Sequence, residues 1–204
     1  MFEEIKMEII KYGKLSGDKN YTPGISGNIS VRAGDSVVIT STGSANAMLN
    51  ENDFSVIDFS GNIIVGAKPS SEKFLHLEFY RQREDINAIL HFHSPCLTAF
   101  AACGLGLDLP VLPEIIFCFD NIPLAEYALP GSNDLVEKTA KYFSTHDVIL
   151  MKNHGVIVGG TDLKDAYLKL ELCEEYAKTM IFSKILGGAR ILSDEEVEKI
   201  KLLK

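Results

Sequence analysis

Two stretches in the first third of the chain constrain its fold more than any other feature. "ISVRAGDSVVITST" alternates apolar and polar residues around a tight Ala33-Gly34-Asp35 turn, and "DFSVIDFSGNIIVG" repeats the pattern with Ser60-Gly61-Asn62 at the turn. Successive side chains of a strand point to opposite faces, so such runs joined by tight turns predict consecutive antiparallel hairpins. A sheet begun in this way needs cover, and helical periodicities supply it. Phe2, Ile5, Ile9 and Tyr12 predict a helix over 2–15. After "PSS" a second helix runs to about Arg83, with Ser70 or Ser71 as its cap and Glu72 in its first turn. The strand "INAILHFHS" follows, then a helix over "PCLTAFAACG", a strand-like "IIFCFDNIPLAEY" and a capped helix in "SNDLVEKTAKYFST". "DVILMKNHGVIVGG" reads as two strand halves around Asn153-His154-Gly155. Leu163, Ala166, Leu170, Cys173, Ala177 and Ile181 mark a long amphipathic helix. No repeat, low-complexity tract or Pro/Ser-rich linker divides residues 1–204, which predicts a single α/β domain with a mostly antiparallel sheet flanked by helices.

At 204 residues the chain is long enough to bury a sizeable core. A formal net charge of -8 argues against nucleic-acid binding through a basic face. No apolar run approaches the ~20 residues of a membrane span. The charged opening "MFEEIKMEIIKYGK" has no secretory core, and Cys96, Cys103, Cys118 and Cys173 show no paired spacing. Buried thiols in a reducing, cytoplasmic setting are the expectation.

"LHFHSP" places His91 and His93 two positions apart in an otherwise apolar strand, so both project from one face. Alone, such a pair is a weak motif, which two hydrogen-bonded structural histidines would also explain. His154, at a strand end before a glycine, offers a third imidazole, and three imidazoles suit zinc while leaving a coordination position open for chemistry. His76, mid-helix, and His146, in an exposed turn, stand outside this set. Glu72 has helix capping as its simplest role. An open zinc site also needs a nearby general base, and a carboxylate at a loop-to-helix junction can reach one. Partial burial would raise its pKa towards neutrality, which suits a base.

"PGISGNIS", "TSTGS" and "KPSSE" are short polar loops, each at the end of a regular element. Each alone reads as ordinary turn chemistry. Together their backbone N–H groups and hydroxyls could form a phosphate-binding concavity without cations. No Walker loop or GxGxxG unit supports nucleotide binding.

In this order, "SGNISVR", "ITSTGS", "PSSE", "HFHS" and "NHGVIVGG" resemble the class II aldolase/adducin family over nearly the whole chain. The resemblance implies a three-layer α/β/α fold and a cyclic homotetramer with active sites at subunit interfaces. It implies one zinc ion per subunit on His91, His93 and His154, Glu72 as acid/base, and a phosphate pocket of Ser26, Gly27, Asn28, Thr42, Gly43, Ser70 and Ser71. The implied activity is reversible cleavage of a ketose 1-phosphate to dihydroxyacetone phosphate and an aldehyde through a metal-stabilised enediolate. Family epimerases usually carry aspartate where this chain has Glu72, and adducin-like binding members lack the metal histidines, so the likeness favours an aldolase. The alternatives are a family decarboxylase or dehydratase acting on a phosphorylated sugar or sugar acid, and a non-catalytic adducin-like binding protein. Two departures concern the aldehyde side: Glu114 stands where family aldolases place a tyrosine from the neighbouring subunit, and "VEKIKLLK" carries no tyrosine beyond "LSDEE".

Overall fold

The two N-terminal hairpins form as their alternation predicts, and the rest of the sheet grows from them. The computed structural model describes residues 1–203. In chain order they form α1 (Phe2–Asp18), β1 (Asn28–Ala33), β2 (Ser36–Thr40), β3 (Phe54–Asp58), β4 (Ile63–Gly66), α2 (Lys73–Gln82), β5 (Ala88–Phe92), α3 (Pro95–Ala102) and α4 (Pro113–Phe119). β6 (Leu124–Ala125), α5 (Asn133–Ala140), β7 (Val148–Met151), β8 (Gly155–Gly160), α6 (Leu163–Ile185) and α7 (Asp194–Lys201) follow. The strands make one eight-stranded sheet in the order β4-β3-β2-β1-β5-β8-β7-β6. Every neighbouring pair is antiparallel except β6 with β7.

The strand period sorts side chains into two cores. Ile29, Val38, Leu90, Phe92, Val156 and Val158 face a layer holding Ile9 and Tyr12 of α1, Leu97 and Ala101 of α3, and Leu163, Leu170 and Cys173 of α6. Val37, Ile39, Ile57, Ile89, Ile149 and Ile157 face Leu75, Leu77 and Phe79 of α2 and Leu135 of α5. Helices on both faces explain why β5 and β8 are buried along their whole length. This is the expected three-layer arrangement. β4 differs, since Ile63, Ile64 and Val65 on this edge strand are all more than half exposed. No described helix is long and apolar enough to cross a membrane.

Several local expectations need correction. "IIFCFDNIPLAEY" is helix α4 followed by a two-residue strand, not one strand. A short apolar run fits a buried helix as well as a strand; here Pro113 occupies the first turn and Ile115 and Ile116 are buried. α7 had no apolar period to announce it, but Ser193 and Glu196 form a reciprocal capping box. Of the cysteines expected inside, Cys173 is buried, whereas Cys103 and Cys118 are exposed.

Candidate active site

His91 belongs to the same strand face as Ile89, so the alternation of β5 turns it towards α2. Its pairing register sets Asn28 of β1 beside it on one flank and Ile157 of β8 on the other. His93 lies just past the end of β5, and His154 sits in the turn between β7 and β8. Asn153 (φ 56°) supplies the left-handed residue of this turn. A Cβ on Gly155 would lie 2.7 Å from Cδ2 of His93, so the two histidine segments are in close contact. The three imidazoles present ligand atoms that all lie within 4.8 Å of one another. His91 Nε2 and His93 Nε2 are 3.3 Å apart. A tetrahedral ion with ~2.0–2.1 Å bonds needs its ligands roughly 3.3 Å apart, so this pair fits without movement. His91 Nδ1–H donates to the Val156 carbonyl at 2.9 Å, which leaves the Nε2 lone pair for a metal.

Glu72 faces this cluster. It is the residue preceding α2 rather than part of its first turn, and its side chain makes no capping bond. The Ser70 hydroxyl instead accepts the Glu72 N–H, at 3.2 Å. The carboxylate is therefore free to turn inward, where Oε2 lies 3.1 Å from His91 Nε2 and Oε1 3.4 Å from His154 Nε2. Asn28 Nδ2 donates to Oε2 at 3.0 Å. Burial alone would raise the Glu72 pKa, as the sequence reading anticipates. The charge and hydrogen bond of His91, with His154 and the Asn28 amide, outweigh it and hold the carboxyl well below its ordinary range. Burial likewise lowers His91, but Glu72 more than compensates and its pKa is raised. Burial and the nearby His91 hold His93 and His154 down at about 4, so both are neutral, the form that ligates. The donor set fits a divalent metal.

Beside the cluster opens a cavity of about 210 Å³. Ser26, Gly27, Asn28, Thr42, Gly43, Ser70, Ser71 and Glu72 all line it, together with His93 and His154. The three polar loops, far apart in sequence, thus meet in one place. Gly27 is required there by its left-handed backbone (φ 75°) and by crowding, since a Cβ would press on the His91 carbonyl and lie 2.8 Å from Phe92 Cδ1. Some donors are already committed. The Ser26 N–H and hydroxyl both go to the Pro23 carbonyl, the Thr42 N–H to Lys68 and the Ser70 N–H to Thr40. Among the described residues no lysine or arginine lines the cavity.

Sequence reasoning missed Ile25, Ser41 and Pro130 in the lining. Ser41 could have been found: it sits in the quoted "TSTGS" loop, and its buried hydroxyl has no hydrogen-bond partner. Pro130 carried no signal, because its loop reaches the site only through the placement of α5. His76 is fully buried, 2.7 Å from the Ser30 hydroxyl, which also lies 2.8 Å from Tyr80 OH. His146 is half-buried against Thr145 and Asn121, away from the cavity. Glu114 is exposed in the first turn of α4 and does not line this chain's cavity.

Comparison with known proteins identifies the family. Residues 7–181 match the family described as the class II aldolase and adducin N-terminal domain. The chain is 43% identical to an L-fuculose phosphate aldolase of Methanocaldococcus jannaschii, over 87% of this chain and 96% of that one. It is 36% identical to a 3-oxo-tetronate 4-phosphate decarboxylase of Haemophilus influenzae, over 95% and 94%. A solved L-fuculose 1-phosphate aldolase superposes with a TM-score of 0.90 at 33% identity, covering 98% of this chain and 95% of that one. Sequence and fold together establish that this chain belongs to the class II aldolase and adducin family.

Proposed function

We propose that the protein is a zinc-dependent aldolase that reversibly cleaves a ketose 1-phosphate, of the L-fuculose 1-phosphate kind, to dihydroxyacetone phosphate and an aldehyde. The observation that carries this reading is the convergence of three imidazoles, an inward-turned carboxylate and three hydroxyl-rich loops on one small cavity. A zinc ion on His91, His93 and His154 would act as a Lewis acid for the negative charge that develops on the ketone side when the carbon–carbon bond breaks. The chain supplies the rest. Glu72, ionised and oriented by Asn28, takes the proton from the hydroxylated carbon of dihydroxyacetone phosphate in condensation and returns it in cleavage. Ser41, Thr42, Gly43 and Ser71 hold the phosphate with uncharged donors, and fix that carbon opposite Glu72. Asn28 also orients the carboxylate and Ser26 shapes its loop through the bonds they already make, and with Gly27 and Ser70 they complete the proposed phosphate pocket.

The active assembly is proposed as a homotetramer in which the exposed Glu114 reaches the aldehyde side of a neighbouring subunit's site. The same site would also serve decarboxylation of a phosphorylated keto-acid, a reading favoured by the 36% identity to the Haemophilus influenzae decarboxylase. Incubation of purified protein with a panel of ketose 1-phosphates and phosphorylated keto-acids separates the two. Release of dihydroxyacetone phosphate without carbon dioxide is expected; carbon dioxide as the product would move the assignment to decarboxylation.

A further inference from the structure

Helix α3 lies between the two segments that carry the imidazoles. Its first residue, Pro95, follows His93 by two positions, and its last carbonyls receive the turn that carries His154. Asn153 N–H donates to Ala101 O at 3.1 Å, and the Asn153 side-chain amide lies 3.4 Å from Ala102 O. The helix thus spans from His93 to the residue before His154.

A strut is only as good as its fixed end. The first free N–H groups of a helix need an acceptor, usually the side chain of the capping residue. Here the capping residue is Ser94, and it makes no such bond; its hydroxyl is buried without a partner. Pro95 has no N–H. The next two donors, Cys96 N–H and Leu97 N–H, go to Glu174 of α6, at 2.7 Å to Oε1 and 2.9 Å to Oε2. Glu174 is 4% exposed and does not line the cavity. A buried carboxylate at this place is stabilised by the positive end of the helix, and its two oxygens fix the helix in direction as well as position.

We infer that Glu174 is a positioning residue for the metal cluster: by clamping the first turn of α3 it sets the separation of His93 from His154. This rests on the proposed metal site, but concerns a residue outside it. Partners that hydrogen-bond a metal ligand directly are worth about 10- to 100-fold in metal affinity when removed, and Glu174, one step further out, should reach only the lower end of that range. An alanine at 174 abandons both N–H groups. A glutamine retains one acceptor oxygen and loses the charge.

The test is zinc affinity, measured by competition with a chromophoric chelator, for wild type, Glu174→Gln and Glu174→Ala, with melting temperatures of the zinc-free and zinc-loaded forms. Affinity should fall about threefold in the glutamine variant and about tenfold in the alanine variant. The rise in melting temperature on adding zinc should shrink in the same order, because stabilisation by a ligand follows its affinity. Ser193→Ala, which removes the cap of α7, controls for cap loss away from the site and should leave affinity unchanged. Should the alanine variant not fold, the glutamine variant carries the test. Combined with Asn153→Gly, which spares the left-handed turn but drops the amide, Glu174→Gln should give less than the sum of the two losses, since both act through α3. Wild-type affinity in the folded Glu174 variants, with both melting temperatures lowered equally, would make Glu174 merely structural and overturn the inference alone. A wild-type protein that takes up no zinc would overturn the proposed metal site, and this inference with it.

Discussion

The two halves of the candidate site are built by different means. His91 hangs from the centre of the sheet, where β5 and β8 are buried on both faces and pairing register fixes its direction, and His93 and His154 lie directly at the ends of these two strands. The loops that line the cavity lie at strand and helix ends, and Thr42, Gly43 and Ser71 are exposed. Backbone in the first half is held by a ladder; in the second it is held by single turn bonds, such as Thr42 N–H to Lys68 O. The imidazoles of the candidate metal site sit on the ladder or directly beside it. The loops proposed to capture substrate, which only need donors within reach, sit on turns.

The contrast can be broken at its strongest point first. Replacing His91, His93 or His154 by alanine should take bound zinc from about one per chain to none and abolish activity, as read by elemental analysis and turnover; three variants with full metal content would end the comparison. Next, Glu72→Gln should keep the metal but lose roughly 10²-fold or more in rate. Exchange of the dihydroxyacetone phosphate proton with deuterated solvent isolates that step, and wild-type exchange would clear Glu72. A glycine pair then compares a loop packed against β5 with one that faces open space. Gly27→Ala meets both a left-handed backbone and the crowding of Phe92, and should cost more than the ~1–3 kcal/mol of backbone strain alone. Gly43→Ala has the same backbone sign but open space, and should cost no more than that strain in denaturant unfolding. Smaller still, Thr42→Ala and Ser71→Ala should each raise KM for phosphorylated substrates about fivefold with kcat little changed, the value of ~1 kcal/mol per hydrogen bond.

The gentlest test is pH. In the metal-free protein His93 and His154 are held to about 4 and His76 to about 3, chiefly by burial. Between 6.5 and those values the unfolded chain binds protons that the folded one refuses, so stability is complete above 6.5 and is lost as pH falls towards 4. His91 has the opposite sign, but its contribution is already complete below 6.5 and cannot offset the loss. Melting temperature should therefore decline from pH 6.5 to 4, and zinc should oppose that decline near its upper end.

What could be read from the sequence follows the same division. The H-x-H pair was legible because strand alternation decides side-chain direction with no knowledge of the rest of the fold. His154 was legible because a histidine before a glycine, between two apolar strands, has few places to go. The family resemblance supplied the grouping of the loops, but not which donors were spent: that Ser26 would bond Pro23, or Asn28 reach Glu72, depends on atoms 3 and 44 residues away. Glu174 left no trace at all, since its partners lie 77 and 78 residues distant and its own helix reads as ordinary amphipathic. α4 failed for a simpler reason, because seven residues are too few for the helical period to show.

The strand order carries a consequence for how the molecule comes into being. β1 must find β5, and β5 must find β8, across spans of chain that hold entire hairpins and helices. Contacts between distant parts of a chain form slowly, because loop closure costs entropy before pairing returns anything. Asn28, Glu72, His91 and His154 can meet only after those pairings are made. On the proposed reading a metal ion would meet a cradle that the strand pairings have already assembled, and would act as a latch, slowing the escape of a structure that the chain has completed.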